Sequence, residues 1–245
     1  TSNGGTITYT NTSGTTVYAE TIGTVTLARG QLNLVETINQ AGAGSQTLTL
    51  AGLTRSSDTT AVTFASASGL NATKNMIKVT GATATPAGQI IGPWATAGTA
   101  ANAQTDYAVY DGSTNVLPAN ITATTQDTWT DSSLPYTSSL AAVALTGDRS
   151  MAALRNTGAT ATITLSNGTT GYTLATGGIL NGVSTLLTIA PGTVAGSVTA
   201  PGTSGGQIYL ATGSGTMTVS APINDNGGAV SVIKTGTGGT GGTLT

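Results

Sequence analysis

Acidic and aromatic side chains gather in the middle of the sequence, between Trp94 and Tyr136, and they are the groups with the clearest potential for chemistry. Paired carboxylates supply the acid and the base of glycoside hydrolysis, and an aromatic face beside polar acceptors stacks on sugars. The segment therefore predicts a site of glycan or partner contact. Its acidic residues are Asp106, Asp111, Asp127 and Asp131. The expected binding residues are Trp94, Tyr107, Tyr110, Trp129, Asp106 and Asp111.

The rest of the chemical inventory argues against an enzyme. The chain has no His and no Cys, which excludes Ser-His-Asp and Cys-His nucleophiles as well as imidazole and thiolate metal ligands. A polysaccharide lyase also needs a basic group, and the basic residues near the acidic centre are few: Lys74, Lys78 and Arg149. We therefore predict a protein without catalytic residues. A carbohydrate-active enzyme that works through the central carboxylates stays open as an alternative.

Three short motifs near the C-terminal end have simpler structural interpretations. Ser231 and Lys234 form a Ser-x-x-Lys pattern, but residues three apart in a strand face opposite sides of the sheet. A Gly-x-Gly-x-x-Gly pattern begins at Gly236, without the following helix of a dinucleotide site. Residues 224–226, Asn-Asp-Asn, offer oxygen ligands but lack the spacing of a calcium loop. The sequence thus predicts no metal and no cofactor.

Low charge restricts the class of partner. Only 7% of the residues are charged, against about 25% in an ordinary globular protein. No cluster of Lys and Arg follows the pattern of a nucleic-acid interface, and no apolar run approaches the roughly 20 residues that cross a bilayer. We expect neither a nucleic-acid partner nor a membrane span. A neutral chain rich in Thr and Gly is typical of secreted β-rich repeats, so we expect a secreted or cell-surface location.

Apolar and hydroxyl residues alternate from one end of the sequence to the other. Examples are TITYT at 6–10, TLTL at 47–50 and TITL at 162–165. A period of two is the pattern of half-buried strands, with the apolar side inward and the Thr side outward. Thr and Val also favour strands because their branched Cβ atoms restrict χ1. The sequence therefore predicts an all-β protein.

The strands also recur with a regular pitch. Ile163, Leu186, Ile208 and Val230 follow one another at intervals of about 22 residues, and a repeat of about 20 to 50 residues is the signature of a solenoid. We therefore predict a single domain over 1–245, a right-handed parallel β-helix of about 11 coils. The pitch is lost over 81–136, a segment rich in Pro and aromatic residues, so we expect irregular, loop-rich coils there.

Several blocks of the sequence resemble the autotransporter-associated β-strand repeat proteins. The blocks are AVSVIKTGTG at 229–238, GTLT at 242–245, LTLAGLTR at 48–55, AVTF at 61–64, IIGPWA at 90–95 and TDYAVYD at 105–111. The resemblance implies a secreted or surface-attached passenger domain that is built as a β-solenoid and serves as a stalk, adhesin or matrix component. It carries over no catalytic residue.

These observations predict an extracellular structural protein that forms a surface fibre, stalk or matrix scaffold of a bacterium. Both terminal stretches, 1–10 and 235–245, lack charge and Pro, and unprotected strand edges recruit further strands. We therefore expect end-to-end self-association into fibres. The alternative is a carbohydrate-binding or carbohydrate-active β-helix that contacts glycans or other cell-surface components through the central segment.

Overall fold

The alternating residues form short strands throughout the chain. The computed structural model describes residues 1–11, 14–37 and 44–236, with 50% of the residues in strands and 1% in helix. The strands are β1 (Gly5–Thr10), β2 (Val17–Ile22), β3 (Val25–Leu27), β4 (Gln31–Thr37), β5 (Ser45–Leu50), β6 (Leu53–Arg55), β7 (Ala61–Ser66), β8 (Asn75–Val79), β9 (Ala95–Ala100), β10 (Ala103–Tyr110), β11 (Val116–Pro118), β12 (Pro135–Ser138), β13 (Ala142–Ala144), β14 (Arg149–Met151), β15 (Ala153–Asn156), β16 (Ala161–Thr164), β17 (Thr173–Thr176), β18 (Gly178–Asn181), β19 (Leu187–Ala190), β20 (Ser197–Thr199), β21 (Gly206–Thr212), β22 (Met217–Val219) and β23 (Val230–Thr235). A 3-10 helix covers Gln126–Thr128.

Most strands pair in parallel with the corresponding strand of the next turn, which confirms the predicted all-β parallel solenoid. There are about eight turns, fewer than the eleven expected. Contacts divide the chain into two compact units, Thr1–Ala119 and Asn120–Thr245. Each unit has its own hydrophobic core. In the described ranges, no helix has the length and apolar character that a bilayer-spanning helix requires.

The first unit stacks three parallel sheets, one for each side of the coil. Their strand orders are β1-β4-β7-β9, extended by β10 and β11, then β2-β5-β8, and β3-β6. Ile7, Leu34 and Phe64 occupy equivalent positions in successive coils, and Leu34 and Phe64 are fully buried. Small and medium apolar side chains in these columns fill the interior between the sheets.

The second unit repeats this arrangement with the orders β12-β15-β18-β21-β23, β13-β16-β19-β22 and β14-β17-β20. Its apolar columns include Ile163 beside Ile189. A buried polar column runs alongside, because Asn156 and Asn181 pair in register, and the Nδ2 of Asn156 donates to the Oδ1 of Asn181 at 3.0 Å. Asn181 also donates to the carbonyls of Thr185 and Thr216.

The predicted pitch is wrong, because the coils of the structure differ in length and most are longer: Pro135 pairs with Ala153, 18 residues on, whereas other paired positions lie further apart. Ile163 pairs with Ile189 and not with Leu186, and in the first unit Leu34 pairs with the still more distant Phe64. Leu186, which the predicted pitch placed in the core, is 37% exposed. The regular spacing joined Ile163 and Leu186, on and beside β16 and β19 of one sheet, to residues 208 and 230, on β21 and β23 of another, because turns of unequal length separate the strands within each coil.

Parallel stacking stops in the middle of the chain, at one end of each unit. In the first unit, β10 pairs antiparallel with both β9 and β11. In the second unit, residues 120–134 attach to the first coil, where Thr124 donates its amide to the carbonyl of Thr137. The carbonyl of Trp129 likewise accepts the amide of Ser150. These segments cover strand edges that would otherwise continue the parallel stack.

Candidate functional site around Tyr110

Two of the aromatic residues that the sequence proposed for glycan contact are fully buried. Tyr107 and Trp129 both have 0% exposure. Trp129 belongs to the core of the second unit, and its Nε1 donates to the Oγ1 of Thr124 at 3.2 Å. Neither ring presents a face that a sugar could reach in this conformation. Local sequence carries no signal for this burial, since a Trp among Thr and Asp residues has the same pattern whether it points inward or outward.

The central carboxylates of the first unit accept hydrogen bonds from backbone amides close to them in sequence. The Oδ1 of Asp111 accepts the amides of Ser113 and Asn115, each at 2.8 Å. Partial burial alone would raise the pKa of Asp111, but these hydrogen bonds and the charge of Lys78 outweigh burial and lower the pKa. Asp106 is 2% exposed and accepts the amide of Tyr107. Both carboxylates therefore stabilise the backbone around them.

The other two carboxylates have similar roles in the second unit. The pKa of Asp131 is lowered by hydrogen bonds from the hydroxyl and the amide of Ser133. Asp127 forms an ion pair with Arg149, with 3.0 Å between Oδ1 and Nη2, and Arg149 also donates to Gln126 at 2.7 Å. This network ties the 3-10 helix to the first coil.

Trp94 is partly exposed, and a positively charged side chain stacks over its ring. The guanidinium of Arg55 lies 4.5 Å from the ring centroid, within the range of a cation–π contact. A Cβ atom at Gly92 would collide with the indole, so glycine at this position leaves room for the ring. This contact explains the Gly-Pro-Trp block structurally, and it leaves one face of Trp94 covered by Arg55.

Tyr110 forms part of the walls of two surface depressions, which together we call the Tyr110 groove. The first holds about 270 Å³ and is lined further by Thr83, Ala84, Thr85, Pro86, Ile90 and Ile91. The second holds about 280 Å³ and is lined further by Gly52, Leu53, Thr54, Val79, Thr80, Gly81 and Ala82. Apolar side chains alternate with Thr hydroxyls in both linings, and neither lining contains a charged residue.

Backbone pairing holds Tyr110 in place between the depressions. Its amide donates to the Oγ1 of Thr85 at 2.8 Å, and its carbonyl accepts the amide of Thr85 at 3.0 Å. Burial raises the pKa of the Tyr110 phenol to about 12, so the phenol stays neutral at physiological pH. The groove therefore presents a neutral aromatic ring, apolar side chains and hydroxyls.

Sequence reasoning missed a buried carboxyl group at a corner of the first unit. Glu36, at the end of β4, has 0% exposure, and its Oε1 accepts the amide of Leu48 at 3.1 Å. Burial raises the pKa of Glu36 to about 8, against the lowering effect of the hydrogen bonds with Leu48 and Gln46. A signal was available, because β-strand alternation places Glu36 on the same side as Leu32 and Leu34.

The motifs near the C-terminal end have structural partners where they are described. The Oδ1 of Asp225 accepts the amide of Val230 at 2.8 Å, and the Oδ1 of Asn226 accepts the amide of Gly205 at 2.6 Å. The Nζ of Lys234 donates to the carbonyl of Gly236. The remaining glycines of the Gly-rich motif and the GTLT block at 242–245 lie outside the described residues. Over the described ranges, no group of three or more Asp and Glu side chains gathers as a metal site.

Comparisons with known proteins identified no similar protein. A scan against protein-family models, a search of curated proteins and a search of solved structures each returned no match to this chain. The resemblance to autotransporter-associated repeats therefore rests on the sequence blocks alone.

Proposed function

We propose that this chain is a non-enzymatic, extracellular structural protein that serves as a scaffold in a bacterial surface fibre, stalk or matrix. The observation that carries the proposal is the stacking of short parallel strands coil upon coil in both units. Stacked coils hydrogen-bond to their neighbours and bury a continuous core of small side chains, which suits a load-carrying spacer. The resemblance to autotransporter-associated repeat proteins supports the same role.

Immunogold electron microscopy of the source cells tests this proposal. An antibody against the folded chain should label fibres or a layer outside the cell, and the purified chain should leave polysaccharides intact. Label confined to the cell interior would contradict the proposal. Depolymerisation that is lost on Asp106→Ala or Asp111→Ala would favour the enzyme alternative.

End-to-end assembly is the second part of the proposal. In the first unit, β1 and β2 are each the outermost described strand of their sheet, whereas Ser2 covers β3 through a bridge to Leu27. Val17 on β2 is 71% exposed. Edge strands of this kind offer unpaired N–H and C=O groups to another chain. We infer that this end accepts strands from a second copy, which builds a fibre. The stretch 237–245, on which the same expectation rested at the other end, lies outside the described residues.

Carbohydrate binding is a second candidate function, and the Tyr110 groove is the observation that favours it. Each depression is of a size to hold about one sugar ring, and an aromatic ring between hydroxyls suits sugar recognition. Because the lining is uncharged, the expected ligand is a neutral glycan. Among the residues expected from the sequence, Tyr110 lies in this groove, and Trp94 is partly exposed in the same unit.

A glycan array with matched variants tests this second function. Tyr110→Ala should abolish binding of neutral oligosaccharides, Tyr110→Phe should retain it because the ring is kept, and Thr80→Arg should block the groove from its exposed rim. Circular dichroism checks that each variant is folded. Binding that is unchanged in both Tyr110→Ala and Thr80→Arg would exclude the groove as the site.

A further inference from the structure

One corner of the first unit contains buried oxygen atoms without hydrogen-bond partners. Among the described residues, three of these atoms are Glu36 Oε2, Ser66 Oγ and Asn75 Oδ1. The three residues are at most 1% exposed. A buried polar atom without a partner costs about 1–3 kcal/mol, and a bound water or ion is one explanation of such a group in a native protein.

Strand register places these three residues together. Glu36 and Ser66 are paired positions of β4 and β7, so their side chains stack in adjacent coils. Asn75 begins β8, beside Gln46 of β5, and the side chain of Gln46 hydrogen-bonds to Glu36. Within one coil, Gly69 connects Ser66 and Asn75, because Gly69 donates its amide to the carbonyl of Ser66 and accepts the Nδ2 of Asn75.

The hydrogen bonds that do exist determine which atoms remain free. The Nδ2 of Asn75 donates to the carbonyl of Gly69 at 3.0 Å, and this contact requires the amide nitrogen there, so the oxygen points the other way. The Oε1 of Glu36 accepts the amide of Leu48, and Oε2 has no hydrogen-bond partner in the described part of the chain. The corner therefore combines a carboxyl oxygen, an amide oxygen and a hydroxyl oxygen.

We propose that this corner binds a hard divalent cation of the calcium type, with Glu36 Oε2, Ser66 Oγ and Asn75 Oδ1 as protein ligands. Calcium takes six to eight oxygen ligands from carboxylates, amide carbonyls and water. Three oxygens come from these side chains, and water or main-chain carbonyls complete the shell. With a single carboxylate, the site belongs in the weak range of about 10⁻⁴–10⁻³ M.

Isothermal titration of the full chain with calcium chloride at pH 7 tests the proposal. We expect millimolar binding and a higher melting temperature with calcium, but no comparable effect of sodium chloride at equal ionic strength. Glu36→Gln should lose both the binding and the rise in melting temperature. Glu20→Gln, a change at an exposed position, should leave both intact.

A second variant keeps the test decisive if Glu36→Gln does not fold. Ser66→Ala removes one ligand and an unpaired hydroxyl, so it should weaken calcium binding several-fold while the chain remains folded. Three results would overturn the proposal: no calcium response of the unmodified chain up to about 10 mM, well above the expected range, an equal response to sodium, or unchanged binding in both variants. The outcome is independent of the scaffold role and of the Tyr110 groove.

Discussion

At the scale of single residues, the structure separates side chains that look alike in the sequence. Trp94 and Trp129 both occur in the aromatic-rich centre, yet Trp94 is partly exposed under the guanidinium of Arg55, and Trp129 is buried in the core of the second unit. A ligand could therefore reach only part of the Trp94 ring, whereas the Trp129 ring packs in the hydrophobic core.

The two Trp residues should therefore differ in their contribution to stability. Trp129→Ala leaves a large cavity and should cost about 3–5 kcal/mol. Trp94→Ala loses a cation–π contact worth about 0.5–1 kcal/mol at an exposed site, together with partial packing, and should cost less. Urea unfolding followed by far-UV circular dichroism measures both. Equal losses in the two variants would contradict the assignment of Trp129 to the core.

The buried carboxyl group of Glu36 predicts an unusual dependence of stability on pH. The unfolded chain loses this proton near pH 4.5, whereas the folded chain keeps it up to about pH 8. Between these pH values the unfolded state therefore binds fewer protons than the folded state. The free energy of unfolding is highest below pH 4.5 and decreases as the pH rises toward 8. The loss should amount to about 2 kcal/mol between pH 5 and pH 7.

Urea unfolding at several pH values, without added divalent cations, measures this effect. Glu36→Gln should remove most of the decline because Gln does not titrate. Glu20→Gln, at an exposed position on β2, should retain it. A decline of the same size in Glu36→Gln would show that another group is responsible.

At the scale of elements, polar side chains and turns determine how successive coils align. In the second unit, the Asn156–Asn181 pair connects two coils through side chains, and Asn181 also donates to the carbonyls of Thr185, before β19, and Thr216, before β22. A buried polar column of this kind favours one register, since a shift by one residue would leave these groups without partners.

Asn181→Ala should consequently destabilise the second unit strongly. The change removes one of the two bonds of the Asn156 Nδ2, which keeps the Gly158 carbonyl, and the side-chain bonds to the carbonyls of Thr185 and Thr216, which should cost about 1–3 kcal/mol. Asn224→Ala, an exposed Asn of the same unit, should change the free energy of unfolding by less than about 0.5 kcal/mol. Urea titrations of both variants provide the comparison. A small effect of Asn181→Ala would show that backbone pairing alone sets the register.

At the scale of the whole molecule, each unit stops its parallel stacking at one end. Antiparallel strands β10 and β11 follow the stack of the first unit, and residues 120–134 attach to the first coil of the second. The central segment of the chain thus covers strand edges, which limits where further strands can add. At the other end of the first unit, Ser2 pairs with Leu27 of β3, and the outer edges of β1 and β2 pair with no other strand among the described residues.

A charge on the open edge should suppress fibre formation. Val17→Lys places an ammonium group on β2 at a position that is 71% exposed, and charged edges resist strand addition. If the unmodified chain forms the proposed fibres in sedimentation and electron microscopy, we expect this variant to remain monomeric at the same concentrations. Val194→Lys, at a position in the second unit that is 41% exposed, is the matched control. Equal assembly of both variants would place the contact elsewhere.

The sequence by itself determined the class of the fold and much of the excluded chemistry. Period-two alternation depends only on neighbouring residues, so strands such as TLTL at 47–50 and the solenoid class could be predicted without knowledge of the partners. The lack of His and Cys likewise excluded imidazole and thiolate chemistry without reference to a structure.

Only the tertiary structure decided the register of the coils and the surroundings of each candidate residue. Turn lengths vary from coil to coil, so the distance along the chain from Ile163 to its partner Ile189 cannot be read from local spacing. The burial of Trp129 and the partial exposure of Tyr110 depend on which distant strands surround them. Glu36, Ser66 and Asn75 lie on three different strands, and they come together only because stacked coils bring distant parts of the chain to one corner.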